Sequence, residues 1–252
     1  MGSNNKSETE FNKEGWGTPE APPAGQFFPG NRLRRACEAA EEGAPRMALL
    51  TDAIRQADLA GAPYWRLFFR WMYVWEVSFH DVPAKALGVS EDFCRIFEEY
   101  PQAMGQDGWQ SHLMVCEMGI DPICLMPAVP HEEWQRRMDY YWQLVQKYKA
   151  GYRNWYWQSW QYYFDRDFGR AQEYYEKYWA SPKDDMTDCE ACERSRSVRF
   201  LLRAGRREEA DQMAADIFSG KLTCNDVPQS TYYAYLEDAL RRGRPEEAAP
   251  YF

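Results

Sequence analysis

The residues with the clearest capacity for chemistry are three thiols. Cys189 and Cys192 form a Cys-x-x-Cys pair, and Cys224 follows in a later turn. Three thiolates can converge on zinc, which takes four tetrahedral ligands. A fourth ligand is missing: His80, His112 and His131 all precede the motif, Gln229 is a poor ligand, and only Asp188 or Asp226 stands close by. A Cys-x-x-Cys without a second pair is a weak zinc signal. The expectation is therefore no cofactor and no metal centre, with less than one zinc held tightly per chain. Cys189, Cys192 and Cys224 are the zinc candidates should a centre exist, and otherwise small, half-buried residues at helix starts and turns. A helix start would also favour the thiolate of Cys189, but the βαβ surroundings of a redox pair are absent.

Other chemistry-bearing groups are sparser. His131-Glu132-Glu133 lacks the second His four residues on that a metalloprotease helix needs, and reads as a solvated helix start. His80-Asp81 reads as a helix end, and Glu98-Glu99 and Glu208-Glu209 as helix surface. No phosphate loop or nucleophile elbow stands out, so no catalytic residue is assigned. The segment Tyr152 to Phe164 is aromatic nearly all round. Trp155 and Tyr162 fall on one face, and Tyr156, Trp160 and Tyr163, at i, i+4 and i+7, on another. That second stripe is either a ligand surface or core under a neighbouring helix.

These groups must be positioned by helices. Apolar residues recur every three or four positions between Gly and Pro breaks, and no long alternating stretch marks a strand. Helices are expected at 32–42, 46–60, 63–79, 90–100, 109–120, 131–149, 152–166, 169–180, 190–203, 207–219, 229–241 and from 245 on. Thr187-Asp188-Cys189-Glu190 reads as a capping box, and Glu132-Glu133 places acid at a positive helix end. Residues 1–29, rich in Gly, Pro, Ser and Glu, bury too little to order and are expected to form a disordered tail, with Phe27 and Phe28 tacking its end onto the first helix.

An internal repeat fixes the architecture further. Leu201 to Ala210, LLRAGRREEA, and Ala239 to Ala248, ALRRGRPEEA, align at an offset of 38 residues with seven of ten positions identical. The shared Gly205 and Gly243 permit a left-handed helix end. The shared Ala210 and Ala248 are small where antiparallel helices approach closely. Trp155, Ser159, Tyr162, Ala171, Tyr175 and Pro182 follow a large, small, large, then small, large, Pro spacing; Tyr232, Ala248 and Phe252 repeat it loosely, and Arg194 and Ala214 depart from it. In this the chain resembles the tetratricopeptide repeat family. The resemblance is closest over 151–252, weaker over 46–150, with a further unit suggested around Asp81 to Leu87, and absent before that. Pro182 to Cys192, containing Asp188-Cys189-Glu190-Ala191-Cys192, together with Lys221 to Pro228, also resembles a bacterial tetratricopeptide family of unassigned role, in which a His commonly stands at the place of Gln229. The fold implied is all-α, a right-handed superhelix of antiparallel helix pairs over 30–252. The sequence begins the second helix of its last pair and stops, so the expectation is either a truncated solenoid or a last unit that packs incompletely.

Composition narrows the function. Formal net charge is −9, and 45% of residues are hydrophobic and 16% aromatic. An acidic chain repels the phosphate backbone on average, so nucleic acid is not expected as a partner; Asn31 to Arg35 is a short basic knot. Seven cysteines, an odd number, suit reduced thiols in the cytoplasm. No apolar run follows the N-terminus, and Tyr64 to Phe79, broken by Arg66, Arg70 and Glu76, falls short of the roughly 20 residues that span a bilayer, so no membrane is expected. The leading function is a non-enzymatic scaffold that binds a protein or peptide on the concave face. By repeat spacing that face carries Arg153, Tyr156, Trp160, Tyr163, Ser195, Arg199, Arg203, Tyr233 and Glu237. It lacks the Lys/Asn arrangement with which chaperone-binding relatives clamp a terminal carboxylate. Two other functions remain open: an immunity or inhibitor protein against one toxin or enzyme, and a zinc- or thiol-dependent regulator.

Overall fold

The computed structural model describes residues 28–251 and, among them, contains helices and turns but no strand. Twelve α-helices follow one another: α1 Gly30–Ala39, α2 Ala44–Leu59, α3 Pro63–His80, α4 Ala86–Glu99, α5 Gly108–Met118, the single turn α6 Asp121–Cys124, α7 His131–Tyr148, α8 Tyr152–Tyr163, α9 Phe168–Ala180, α10 Glu190–Arg203, α11 Arg207–Phe218 and α12 Gln229–Arg241. A 3-10 turn, Pro83–Lys85, precedes α4, and a 3-10 helix, Pro245–Tyr251, ends the described chain where the start of a second helix is expected. Within each unit most consecutive helices pack on one another, and α10 packs on both α11 and α12. The chain divides into two compact units that meet between Met186 and Thr187, inside the span joined by the repeat pattern. The expected tail, 1–29, lies outside the described residues except for Phe28 and Pro29; the Phe28 ring packs on Trp65 of α3, at 6.2 Å between centroids.

In the amino-terminal unit, α3 is the buried helix its composition suggests. Leu67, Phe69, Val74 and Val77 are fully enclosed, and no helix among the described residues is long and apolar enough to cross a membrane. Its charges are absorbed internally. Arg70 makes two bonds to the Asp58 carboxylate, at 2.9 and 2.8 Å. Buried Glu76 receives Arg46 at 3.0 Å and the Gly43 amide. Further on, α7 begins after Pro130 with Glu132 and Glu133 in its first turn, where acid complements the helix dipole. It ends on Lys149 and Gly151, both at positive φ, which turns the chain back into α8.

The carboxy-terminal unit shows why the repeat recurs. Gly205 and Gly243 adopt φ +73° and +69°, a conformation that costs any L side chain strain. At the first, the Arg206 amide donates to Leu201 O at 2.9 Å and the Gly205 amide to Leu202 O at 3.1 Å; at the second, Arg244 donates to Ala239 O at 2.9 Å and Gly243 to Leu240 O at 3.0 Å. The same six-residue closure thus satisfies the orphan carbonyls of both helix ends. Beyond each closure the alanine is enclosed: Ala210 packs with Val198, Leu201, Leu202 and Tyr235, and Ala248 is likewise buried.

Candidate functional site

The carboxy-terminal unit sets the first helices of its two repeats side by side. Ser195, Arg199 and Arg203 run along α10, and Tyr233, Glu237 and Arg241 along α12, each four residues apart and therefore on one helical stripe. The two stripes are in register at the 38-residue offset of the repeat. The Arg199 guanidinium donates to both oxygens of Glu237, at 2.8 and 3.3 Å, and Arg241 reaches Glu237 from within α12 at 2.6 Å. Below that level the contact is neutral: buried Ser195 bonds Thr231 at 2.9 Å and Ser230 at 2.8 Å. At the same level Tyr233, 63% exposed, stands at the surface, and Arg203 does so on the other side of the Arg199–Glu237 pair. Arg199 and Glu237 fix the register of the two helices, Ser195 belongs to the packing, and Tyr233 and Arg203 are presented outward. Burial raises the carboxyl of Glu237, and the hydrogen bond and charge of Arg199, with Arg241, more than offset this, so its pKa lies below the ordinary value.

The expected stripe on α8 is different, and there the structure corrects the idea of an aromatic groove. Trp160 is 3% exposed and meets Tyr175 of α9 edge-on at 6.0 Å. Tyr163 is buried as well. It stacks on Tyr174 at 5.8 Å, Trp134 of α7 meets it edge-on at 5.4 Å, and its hydroxyl accepts a bond from Arg170 at 3.2 Å. Arg153 is buried against the Tyr178 and Trp179 rings, and its Nε donates to Ser181 O at 2.8 Å. Tyr156 is half-covered by Trp155 and Tyr174. Neighbouring helices supply rings on both sides, so Trp160 and Tyr163 are interior and Tyr156 alone of the stripe keeps part of its surface. Trp155, assigned to the packing face, is only half-buried, its indole N–H donating to Met138 O at 3.2 Å.

The three thiols do converge. The sulfurs of Cys189, Cys192 and Cys224 all lie within 4.8 Å of one another, the one such group of potential metal ligands among the described residues. Cys189 is the N-cap of α10, and its side chain makes no capping bond, so the capping box expected from Thr187 to Glu190 is not formed: the helix begins at Glu190, too late for a Thr187 cap. Asp188 pairs instead with Arg196. Cys224 sits in a tight turn closed by two backbone bonds to Val227, at 3.3 and 3.2 Å. Cys192 lies half-buried against Ala191, Ile217 and Val227. Burial, and the hydrogen bonds and charges of the other two sulfurs, push its thiol pKa well up. All seven cysteines are unbridged.

One cluster was not singled out from the sequence. Cys94 on α4 and Cys116 on α5 meet under a cleft of about 290 Å³ whose rim carries Arg136, Arg137 and Glu91. Behind it, fully buried His112 bonds Tyr140 through Nε2 at 2.9 Å and Tyr148 through Nδ1 at 3.0 Å. The Tyr140 hydroxyl donates to Glu98 at 2.8 Å, which leaves it to accept the His112 Nε2 proton. The Cys116 hydrogen bond, aided by His112 and Tyr140, draws the Cys94 thiol below its ordinary pKa despite its burial. The rim charges are consumed by one another: Arg137 reaches Glu133 at 2.6 Å and Glu91 at 3.1 Å, and Arg136 reaches Glu133 at 2.8 Å. No sequence spacing advertises this cluster, because its members come from three helices.

Comparison with known proteins adds nothing to this geometry: no family model, no curated protein and no solved structure matches the chain.

Proposed function

We propose that the chain is a non-enzymatic, cytoplasmic binding module of the tetratricopeptide type, whose helix pairs wind in a right-handed sense and which captures a peptide or protein segment on the face shared by α10 and α12. The observation that carries the reading is the register of Arg199 with Glu237 at the repeat offset, which sets exposed Tyr233 and Arg203 on a preformed surface. Tyr and Arg are the residue types that most often dominate interface energetics, and a rigid face spends little ordering entropy on binding. With three arginines and one glutamate along the two stripes, the partner segment carries an apolar anchor beside a carboxylate. Buried Arg153, Trp160, Tyr163 and Ser195 drop out of the recognition set, half-buried Tyr156 lies apart on α8, and Arg199, Arg203, Tyr233 and Glu237 make up the face.

Selection of displayed peptides on the full chain, followed by affinity measurement, tests this. Tyr233→Ala leaves the fold intact and weakens selected peptides by roughly thirtyfold, the loss of a central anchor worth about 2 kcal/mol. Selected peptides that bind Tyr233→Ala as well as the parent chain would remove the face from consideration.

A further inference from the structure

We propose that Cys189, Cys192 and Cys224 form a three-thiolate site for one soft, closed-shell metal ion, with Cu(I) preferred over Zn(II). The geometry is close to that of a loaded site. Metal–thiolate bonds of about 2.3 Å place the sulfurs of a trigonal centre roughly 4 Å apart, so sulfurs already within 4.8 Å of one another close on an ion by small side-chain rotations. The backbone is already organised: Cys189 is fixed at the start of α10 and Cys224 in its two-bond turn with Val227, while Cys192 rests on the Ile217 and Val227 side chains. Cys189 and Cys224 are exposed, which gives an ion an entry path. Each thiol that binds gives up its proton to solvent as its sulfur joins the ion.

The choice of ion follows from the ligand count. The group holds three sulfurs and no fourth His, Cys or carboxylate, and Asp188 is engaged by Arg196. Zinc in that set completes its tetrahedron with water, whereas Cu(I) is satisfied by three soft donors, and thiolates select it by softness. The site also joins the loop before α12 to the start of α10, so an ion bound there holds the two repeats together beneath the proposed peptide face. The metal proposal stands without that peptide reading.

The full, reduced chain is titrated anaerobically with Cu(I), and separately with Zn(II), against a colorimetric chelator. Near-ultraviolet charge-transfer absorption serves as the second readout. One Cu(I) binds per chain, excess zinc does not displace it, and binding weakens in Cys189→Ser and in Cys224→Ser, each of which leaves only two of the three thiolates. It persists in Cys94→Ser, which removes the competing thiol of the other unit. Cu(I) binding that is as tight in Cys224→Ser as in the parent chain, that fails in the parent chain, or that yields to zinc would overturn the assignment. Alkylation of the parent chain, read by mass spectrometry, keeps the test decisive should a serine variant fail to fold. Cu(I) then shields Cys189, Cys192 and Cys224 together, and uniform labelling of the three in its presence refutes the site.

Discussion

The two units solve the same packing problem with different materials. Around α7, α8 and α9 the interior is made of rings: Tyr162 stacks on Trp134 at 3.9 Å, Tyr163 on Tyr174, and Trp160 against Tyr175. Around α10, α11 and α12 it is made largely of Ala210, Ala214, Ala234, Val198 and Leu201, with buried rings at Phe200 and Tyr235, and polar pairs run between the repeats. Rings fill space with few residues but leave little surface uncommitted, because each face needs a neighbouring ring to cover it. Alanines let helices come close, and side chains such as Tyr233 are then left outside. The difference teaches that the ring-rich stripe of α8 marks core, while the candidate recognition surface lies on α12, where Tyr233 stands outside the packed rings of Phe218, Tyr232, Tyr235 and Tyr251.

The largest effect that would break this comparison comes from the ring-built unit. Tyr162→Ala removes a buried ring stacked on Trp134 and its bond to His131, and costs about 3–5 kcal/mol of stability. Trp155→Ala, on the same helix but only half-buried, costs clearly less. Chemical denaturation of both variants checks the order; equal losses would mean that the rings are interchangeable filler. In the alanine-built unit the sensitive change runs the other way. Ala210→Trp forces a large ring into an enclosed site and destabilises by about 1–3 kcal/mol or more. A neutral result would place the α10–α11 crossing elsewhere.

A smaller effect separates the units by pH. The Arg136 hydrogen bond, with that of Arg137, lowers the Glu133 carboxyl from its ordinary 4.5 to about 2. A depressed carboxyl contributes stability above its unfolded value and loses it as pH falls towards the folded one. Melting temperatures of the parent chain and Glu133→Gln therefore differ at about pH 6 and converge near pH 2. A difference that persists in acid would assign the effect to shape rather than charge.

Much of this was legible in the sequence, for stated reasons. Helix spans follow from periodicity and from Gly and Pro punctuation, and both the Gly205 and Gly243 closures and the Arg199–Glu237 register follow from a 38-residue repeat. Cys224 meets Cys189 and Cys192 because the segments that lead into α10 and α12 are equivalent places in the two repeats. The aromatic stripe of α8 was ambiguous because a helix pattern reveals a face and not what covers it; Trp134 and Tyr174 do so from other helices. The capping box failed because the helix start lies two residues beyond Thr187 and falls to Cys189, a shift that composition does not encode. The Cys94, Cys116, His112 and Tyr140 cluster joins three helices, and a single sequence carries no signal for such a meeting.

The central claim is that the rings of α8 hold the fold while Tyr233 of α12 is left for a partner, and paired melts test it most directly. Trp160→Ala, which empties a buried site, loses about 3–5 kcal/mol. Tyr233→Ala, which truncates an exposed side chain, stays within about 0.5 kcal/mol of the parent. A stable Trp160→Ala beside a strongly destabilised Tyr233→Ala would invert the account and return the recognition surface to α8.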